Sequence, residues 1–136
     1  MKRVSNLLVL FMAIVIMMSC AEKKSVEMLA GKWSVVSIGD FLVPDSVDAF
    51  IAFDLTEGVL YGSTGCNMLN FVTPEKLDGD TPLFTLMGST QRMCRDMNVE
   101  KAMLPTLGLV TDFNVSGDSL YLLNASGATV VSLVRY

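Results

Sequence analysis

Thiols and thioethers are the groups in this chain best suited to specific chemistry. Cys66 and Cys94 stand among Met68, Met93 and Met97, a set of soft sulfur donors of the kind that selects copper(I). The same two cysteines also suit a disulfide, because an even pair in an exported chain meets an oxidising compartment. Closing the loop from Cys66 to Cys94 would contribute about 3–4 kcal/mol on the chain-entropy view. A third reading makes them two buried thiols that pack as small apolar residues. Gly62 and Gly65 precede Cys66 and permit close backbone approach, which favours the crosslink. Met103 falls on the apolar face of a predicted helix, methionine is a common core filler, and there is no tight methionine repeat. No metal and no cofactor is therefore expected, and a copper(I)- or redox-responsive module built on Cys66 and Cys94 is kept as the alternative function.

The chain contains no histidine. That removes the commonest general base, the Ser-His and Cys-His nucleophile pairs and most catalytic zinc sites, so no catalytic residue is assigned and a non-enzymatic role is expected. Asp78-Gly79-Asp80 has the start of a calcium loop but lacks its distant bidentate glutamate, and reads as a solvated turn. Asn114-Val115-Ser116 and Asn124-Ala125-Ser126 fit the glycosylation pattern by chance.

Cys20 carries a different chemistry. Lys2 and Arg3 precede an unbroken apolar run from Leu7 to Met18, which as a helix would extend about 18 Å, well short of a hydrocarbon core of roughly 30 Å. A charged start and a short apolar segment are the layout of a secretory signal. The run closes on Met17-Met18-Ser19-Cys20, similar to a bacterial lipobox, in which a small residue precedes the cysteine that receives diacylglycerol. Met17 stands where leucine is usual. Residues 1–19 are thus expected to be a lipoprotein signal peptide, with Cys20 the acylated terminus. Two or more acyl chains hold such a terminus stably on a membrane. Residues 20–28 read as a tether: from Cys20 to Trp33 even a fully extended chain reaches only about 45 Å.

Cleavage after Ser19 leaves 117 of the 136 residues, the size of one domain. Losing Lys2 and Arg3 leaves 8 basic against 14 acidic residues. So acidic a surface repels phosphate backbones, which argues against nucleic acid as a partner. The membrane is met through the lipid. One glutamate in the tether is not an acidic surface-export tract, so an outer-membrane location facing the periplasm is expected, as a monomer.

The elements that must position these residues are mostly strands. Trp33–Ile38, Ile51–Leu55, Val59–Tyr61, Asn70–Thr73, Leu83–Met87, Thr111–Val115, Ser119–Leu123 and Thr129–Val134 are β-branched or alternate in polarity, and glycine-containing turns separate several of them. Glu57-Gly58 reads as a hairpin turn. Between Asn98 and Val110, Val99, Met103, Leu107 and Val110 recur at helical spacing. Asp96 or Asn98 can cap that helix and Glu100 suits its first turn, while Pro105 should kink it or shift it into a new turn. The expected fold is α+β, a strongly curved, barrel-like antiparallel β-sheet with one packed α-helix.

With these residues in place, the segment from Leu29 to Tyr136 resembles the META domain family, the HslJ-like heat-shock lipoprotein group. The likeness rests on Leu29-x-Gly31-x-Trp33, on Gly62-x-x-Gly65-Cys66-Asn67, on Ser89-Thr90-x-x-x-Cys94, on Glu100-x-x-Met103-Leu104-x-x-Leu107 and on Gly117-x-x-Leu120-x-Leu122. Beyond Asn67 the chain offers Phe71 but not the glycine the family often has there. The resemblance implies an α+β fold, an association with heat shock, envelope stress and drug tolerance, and no catalytic mechanism. Trp33, Gly62, Gly65, Asn67 and Thr90 are read as motif residues with structural roles. Asn67 is the first to inspect, since a polar side chain beside a buried cysteine needs hydrogen-bond partners; fixing the local backbone is its expected role ahead of ligand binding. Together these readings predict a non-enzymatic envelope lipoprotein that interacts with an envelope protein not identifiable from sequence. They also predict a non-polar or methionine-rich exposed patch. Inhibition of a hydrolase is a further alternative.

Overall fold

Nine strands, several of them alternating in burial, form one continuous antiparallel sheet in the computed structural model, which describes residues 25–74 and 77–136. The expected signal peptide, Cys20 and the expected tether as far as residue 24 lie outside the described residues. The Ser25 side chain accepts the Glu27 amide and caps a 3-10 turn over Val26–Leu29.

The strands are β1 (Gly31–Ile38), β2 (Phe41–Leu42), β3 (Ala49–Asp54), β4 (Val59–Thr64), β5 (Met68–Val72), β6 (Thr85–Ser89), β7 (Val110–Ser116), β8 (Ser119–Asn124) and β9 (Thr129–Arg135), with helix α1 (Asn98–Leu107) between β6 and β7. Their spatial order is β6-β5-β4-β3-β1-β9-β8-β7, and β2 pairs beside β1. The register shifts near Val36 in β1, Met87 in β6, Thr111 in β7 and the Leu122–Leu123 step of β8. Each such irregularity increases local twist, and the sheet curls into the half-barrel expected from sequence.

The concave face holds the core. Trp33, Val35, Ile51, Phe53, Leu60, Leu69, Phe71, Phe113, Leu120, Leu122, Val131 and Leu133 point into it, and Val99, Met103 and Leu107 of α1 join them. The helix touches β1, β4 and β9, so its apolar stripe meets the middle of the sheet. Phe84 packs against Phe53 and Phe71 with ring centroids 6.0 and 5.7 Å apart. Next to it the Leu83 amide donates to the Val110 carbonyl at 2.7 Å, linking the approach to β6 with the start of β7 at the opposite sheet edge. β3 is buried on both faces. On the convex side Phe50 is covered by Lys32, whose Nζ lies 3.9 Å from the Phe50 ring centre and 3.3 Å from that of Tyr136.

Several boundaries differ from the sequence expectation. β6 begins at Thr85 rather than Leu83, because Leu83 and Phe84 serve as core plugs instead of strand residues. The helix ends at Leu107, and Val110 opens β7. It runs through Pro105 without a break, although the proline has no amide to donate to the Lys101 carbonyl one turn earlier. Its N-cap is Met97, which makes no side-chain cap bond. Asp96, one residue earlier, accepts the Asn98 amide at 2.9 Å instead.

Candidate functional site

Gly62-Ser63-Thr64-Gly65-Cys66-Asn67 carries the end of β4 into a tight turn that returns as β5. Gly62 is required by proximity: a Cβ there would sit 2.7 Å from the Phe50 carbonyl oxygen. Gly65 has φ +83°, a left-handed conformation that other residues adopt at a cost, and a Cβ would collide with Val47. The turn is held from inside. The Thr64 amide donates to the Asn67 carbonyl at 3.0 Å, and the Thr64 hydroxyl oxygen accepts the Asn67 amide at 3.0 Å and the Cys66 amide at 3.3 Å.

This backbone aims the Asn67 side chain into the protein, where it is 2 % exposed. Its carbonyl oxygen accepts the Arg92 amide at 2.7 Å and the Thr90 hydroxyl at 2.8 Å. Its NH2 group donates to the Arg92 carbonyl at 3.0 Å and to Glu100 Oε2 at 2.8 Å. A side-chain amide has two donor hydrogens and two acceptor lone pairs, so all four positions are filled within the chain. Asn67 is a structural hub and has no capacity left for a ligand. Glu100 Oε2 also accepts the Thr64 hydroxyl at 2.8 Å, which ties the first turn of α1 to the β4–β5 turn.

The same hub organises the segment that leads from β6 to α1. Thr90 exchanges contacts with β5: its amide donates to the Met68 carbonyl, and its hydroxyl oxygen accepts the Met68 amide, both at 3.0 Å. Cys94 is joined to Cys66 by a disulfide with Cα atoms 6.0 Å apart. Bonded to each other, the two sulfurs are not thiolate ligands. Met97 Sδ accepts the Cys94 amide, Met103 is buried in the core, and Met93 is 90 % exposed. The soft-donor set therefore offers no free thiolate: two sulfurs are bonded to each other, Met97 accepts a main-chain amide, and Met68 and Met93 are exposed. Among the described residues no group of three or more histidine, cysteine or acidic side chains is placed to hold a metal ion.

Of the sequence-flagged residues, Cys66, Asn67, Thr90 and Cys94 come together with Gly62 and Gly65 in this one network. Trp33 does not belong to it. Trp33 is fully buried, its indole donates to the Leu29 carbonyl at 2.8 Å, and the Arg135 guanidinium lies 3.9 Å over its ring. Cys20 lies outside the described residues. Asp78 is the turn residue expected: its carboxylate accepts the Asp80 and Thr81 amides and the Thr81 hydroxyl. These bonds, the Thr81 amide foremost, hold its pKa down at about 2. Thr64, Glu100 and the Arg92 backbone are members of the network that sequence reasoning did not assign. Glu100 suits the first turn of the helix by its charge, but its Oε2 serves two side chains of the β4–β5 turn, Thr64 and Asn67.

The META domain family model matches residues 26–135. A solved structure, described only as an NMR structure of a protein, superposes with a TM-score of 0.58 at 17% sequence identity, covering 82% of this chain and 95% of that one. At that identity the likeness concerns the fold alone. No curated protein matches the chain.

Proposed function

We propose, from the premise that this chain belongs to the META domain family, that it is a lipid-anchored envelope protein that acts by binding another protein and supports tolerance of envelope stress. In this reading the signal peptide is removed, Cys20 carries the lipid, and the domain faces the periplasm from the outer membrane. The observation that carries the reading is how the motif residues are spent. Asn67 commits three of its four polar positions to a surface segment and the fourth to Glu100 of α1, and the Cys66–Cys94 disulfide fixes the far end of the same segment. Such an investment favours a rigid surface over a reactive pocket. Apolar residues are exposed on and beside it: Met93 at 90 %, Met87 at 67 % and Leu86 at 45 %, and methionine is enriched where protein partners meet.

Complementation of a deletion strain under heat or detergent stress tests this. The native chain should restore tolerance. Cys20→Ala, which cannot be acylated, and the Met87→Asp/Met93→Asp double variant should not, although the latter should melt within a degree or two of wild type because both side chains are exposed. Full rescue by the double variant would refute the protein-binding role, and full rescue by Cys20→Ala would refute the anchored one.

A redox-responsive role is the second reading, favoured by the position of the disulfide within the Asn67 network. Complementation by the Cys66→Ala/Cys94→Ala variant separates it from the first: a constitutive phenotype, insensitive to added oxidant or reductant, supports redox control.

A further inference from the structure

The segment Thr90–Cys94 has neither turn nor bend, and it is pinned along one side only. Arg92 directs both its amide and its carbonyl inward to Asn67, at 2.7 and 3.0 Å. In an extended chain successive residues direct their main-chain groups to opposite sides. Gln91 and Met93 therefore turn theirs to solvent, and among the described residues no main-chain hydrogen bond holds either one. The Met93 side chain projects outward, 90 % exposed. What the protein displays is a short segment held at Arg92 and Cys94, with free hydrogen-bonding groups on alternate residues and one protruding, unbranched apolar side chain.

An endopeptidase cleft recognises that combination. It binds chain in extended form through main-chain hydrogen bonds to alternate residues, and a pocket for one side chain sets specificity. We propose that Gln91–Cys94 is a peptidase-blocking segment, with Met93 entering the specificity pocket of an endopeptidase that accepts long apolar side chains. The inference rests on the protein-binding reading above and names its partner class. The bracing explains why the segment would block the enzyme and not be consumed. Hydrolysis of the Met93–Cys94 peptide bond adds one water and yields a Met93 carboxylate and a Cys94 amine. Arg92 stays bound to Asn67 and Cys94 to Cys66, so the new amine cannot leave and is held in place to re-form the bond with loss of that water. Rigidity set in advance also lowers the ordering cost of association.

The experiment is inhibition of chymotrypsin and subtilisin, both of which accept methionine, by the intact oxidised chain purified from membranes in detergent. Competitive inhibition on the order of micromolar or tighter is expected for at least one enzyme. Met93→Asp should weaken it by about 30-fold or more, with an unchanged melting temperature because the side chain lies in solvent. Leu42→Asp, at a residue 74 % exposed on β2, should inhibit as the native chain does. Equal inhibition by Met93→Asp, or rapid turnover of the chain as a substrate at Met93, would overturn the proposal. So would the absence of inhibition of either enzyme at tens of micromolar. If inhibition is absent while stress rescue still depends on Met93, the peptidase assignment falls and protein binding stands; if both are absent, both fall.

Discussion

At the scale of single residues, Asn67 decides the local structure. Removing its amide strands the Arg92 amide and carbonyl, the Thr90 hydroxyl and one lone pair of Glu100, in a part-buried site. A fully buried polar group left unpaired costs about 1–3 kcal/mol, and a part-buried one less because water reaches it. Asn67→Ala should therefore lower the unfolding free energy by about 2–4 kcal/mol in urea titrations, far more than a surface substitution. Asp78 makes the opposite kind of prediction, confined to acid. Its folded pKa is about 2 against an ordinary 3.8, so the bonds it accepts contribute stability above about pH 4 that is lost as pH falls through 2. An NMR titration should place the Asp78 carboxyl midpoint near 2, and Asp78→Asn should flatten stability over that interval. A midpoint near 4 would mean that the turn bonds do not persist in solution.

At the scale of elements, most of the sheet was legible because its period of two is written into residues such as Trp33, Val35, Leu120, Leu122, Val131 and Leu133. What was not legible has physical causes. β2 is only Phe41–Leu42, too short to show a period. Leu83 and Phe84 look like strand residues because strand and plug both demand apolar side chains. The Asn67–Glu100 and Asn67–Arg92 bonds join residues 33 and 25 positions apart, and no local pattern reports such a pairing. The sequence allowed the cysteines to be bonded, buried or metal-bound; only the meeting of the β4–β5 turn with the segment before α1 decides among them. Element packing also leaves one imperfection. The Thr111 hydroxyl, where the β7 register shifts, is buried and finds no partner among the described residues. Thr111→Val keeps the shape and removes the unpaired group, so it should raise stability by about 1 kcal/mol. A loss of stability would reveal a hydrogen bond, direct or through water, that the hydroxyl makes in solution.

At the scale of the whole molecule, two links hold the layers together beyond the sheet itself: the Asn67 network and the disulfide, which crosslinks positions 28 apart. Opening that crosslink should cost about 3–4 kcal/mol by loop entropy, read as a lower melting temperature for Cys66→Ala/Cys94→Ala or on adding reductant. The 3-10 turn capped by Ser25 also shortens the proposed anchor. From Cys20 to Ser25 an extended chain reaches about 17 Å, so a lipidated domain would work against the bilayer, within reach only of partners that come to the membrane surface. The peptidase-blocking proposal, and the rigid-surface reading beneath it, depend on the Thr90–Cys94 segment being held on its inner side and free on its outer side. Amide hydrogen exchange at residues 91–93 measures that directly. In the oxidised chain the Arg92 amide should be strongly protected, approaching the limit set by global unfolding, while Gln91 and Met93 exchange freely, and Asn67→Ala should erase the difference. Equal, rapid exchange at all three residues in the native protein would contradict it.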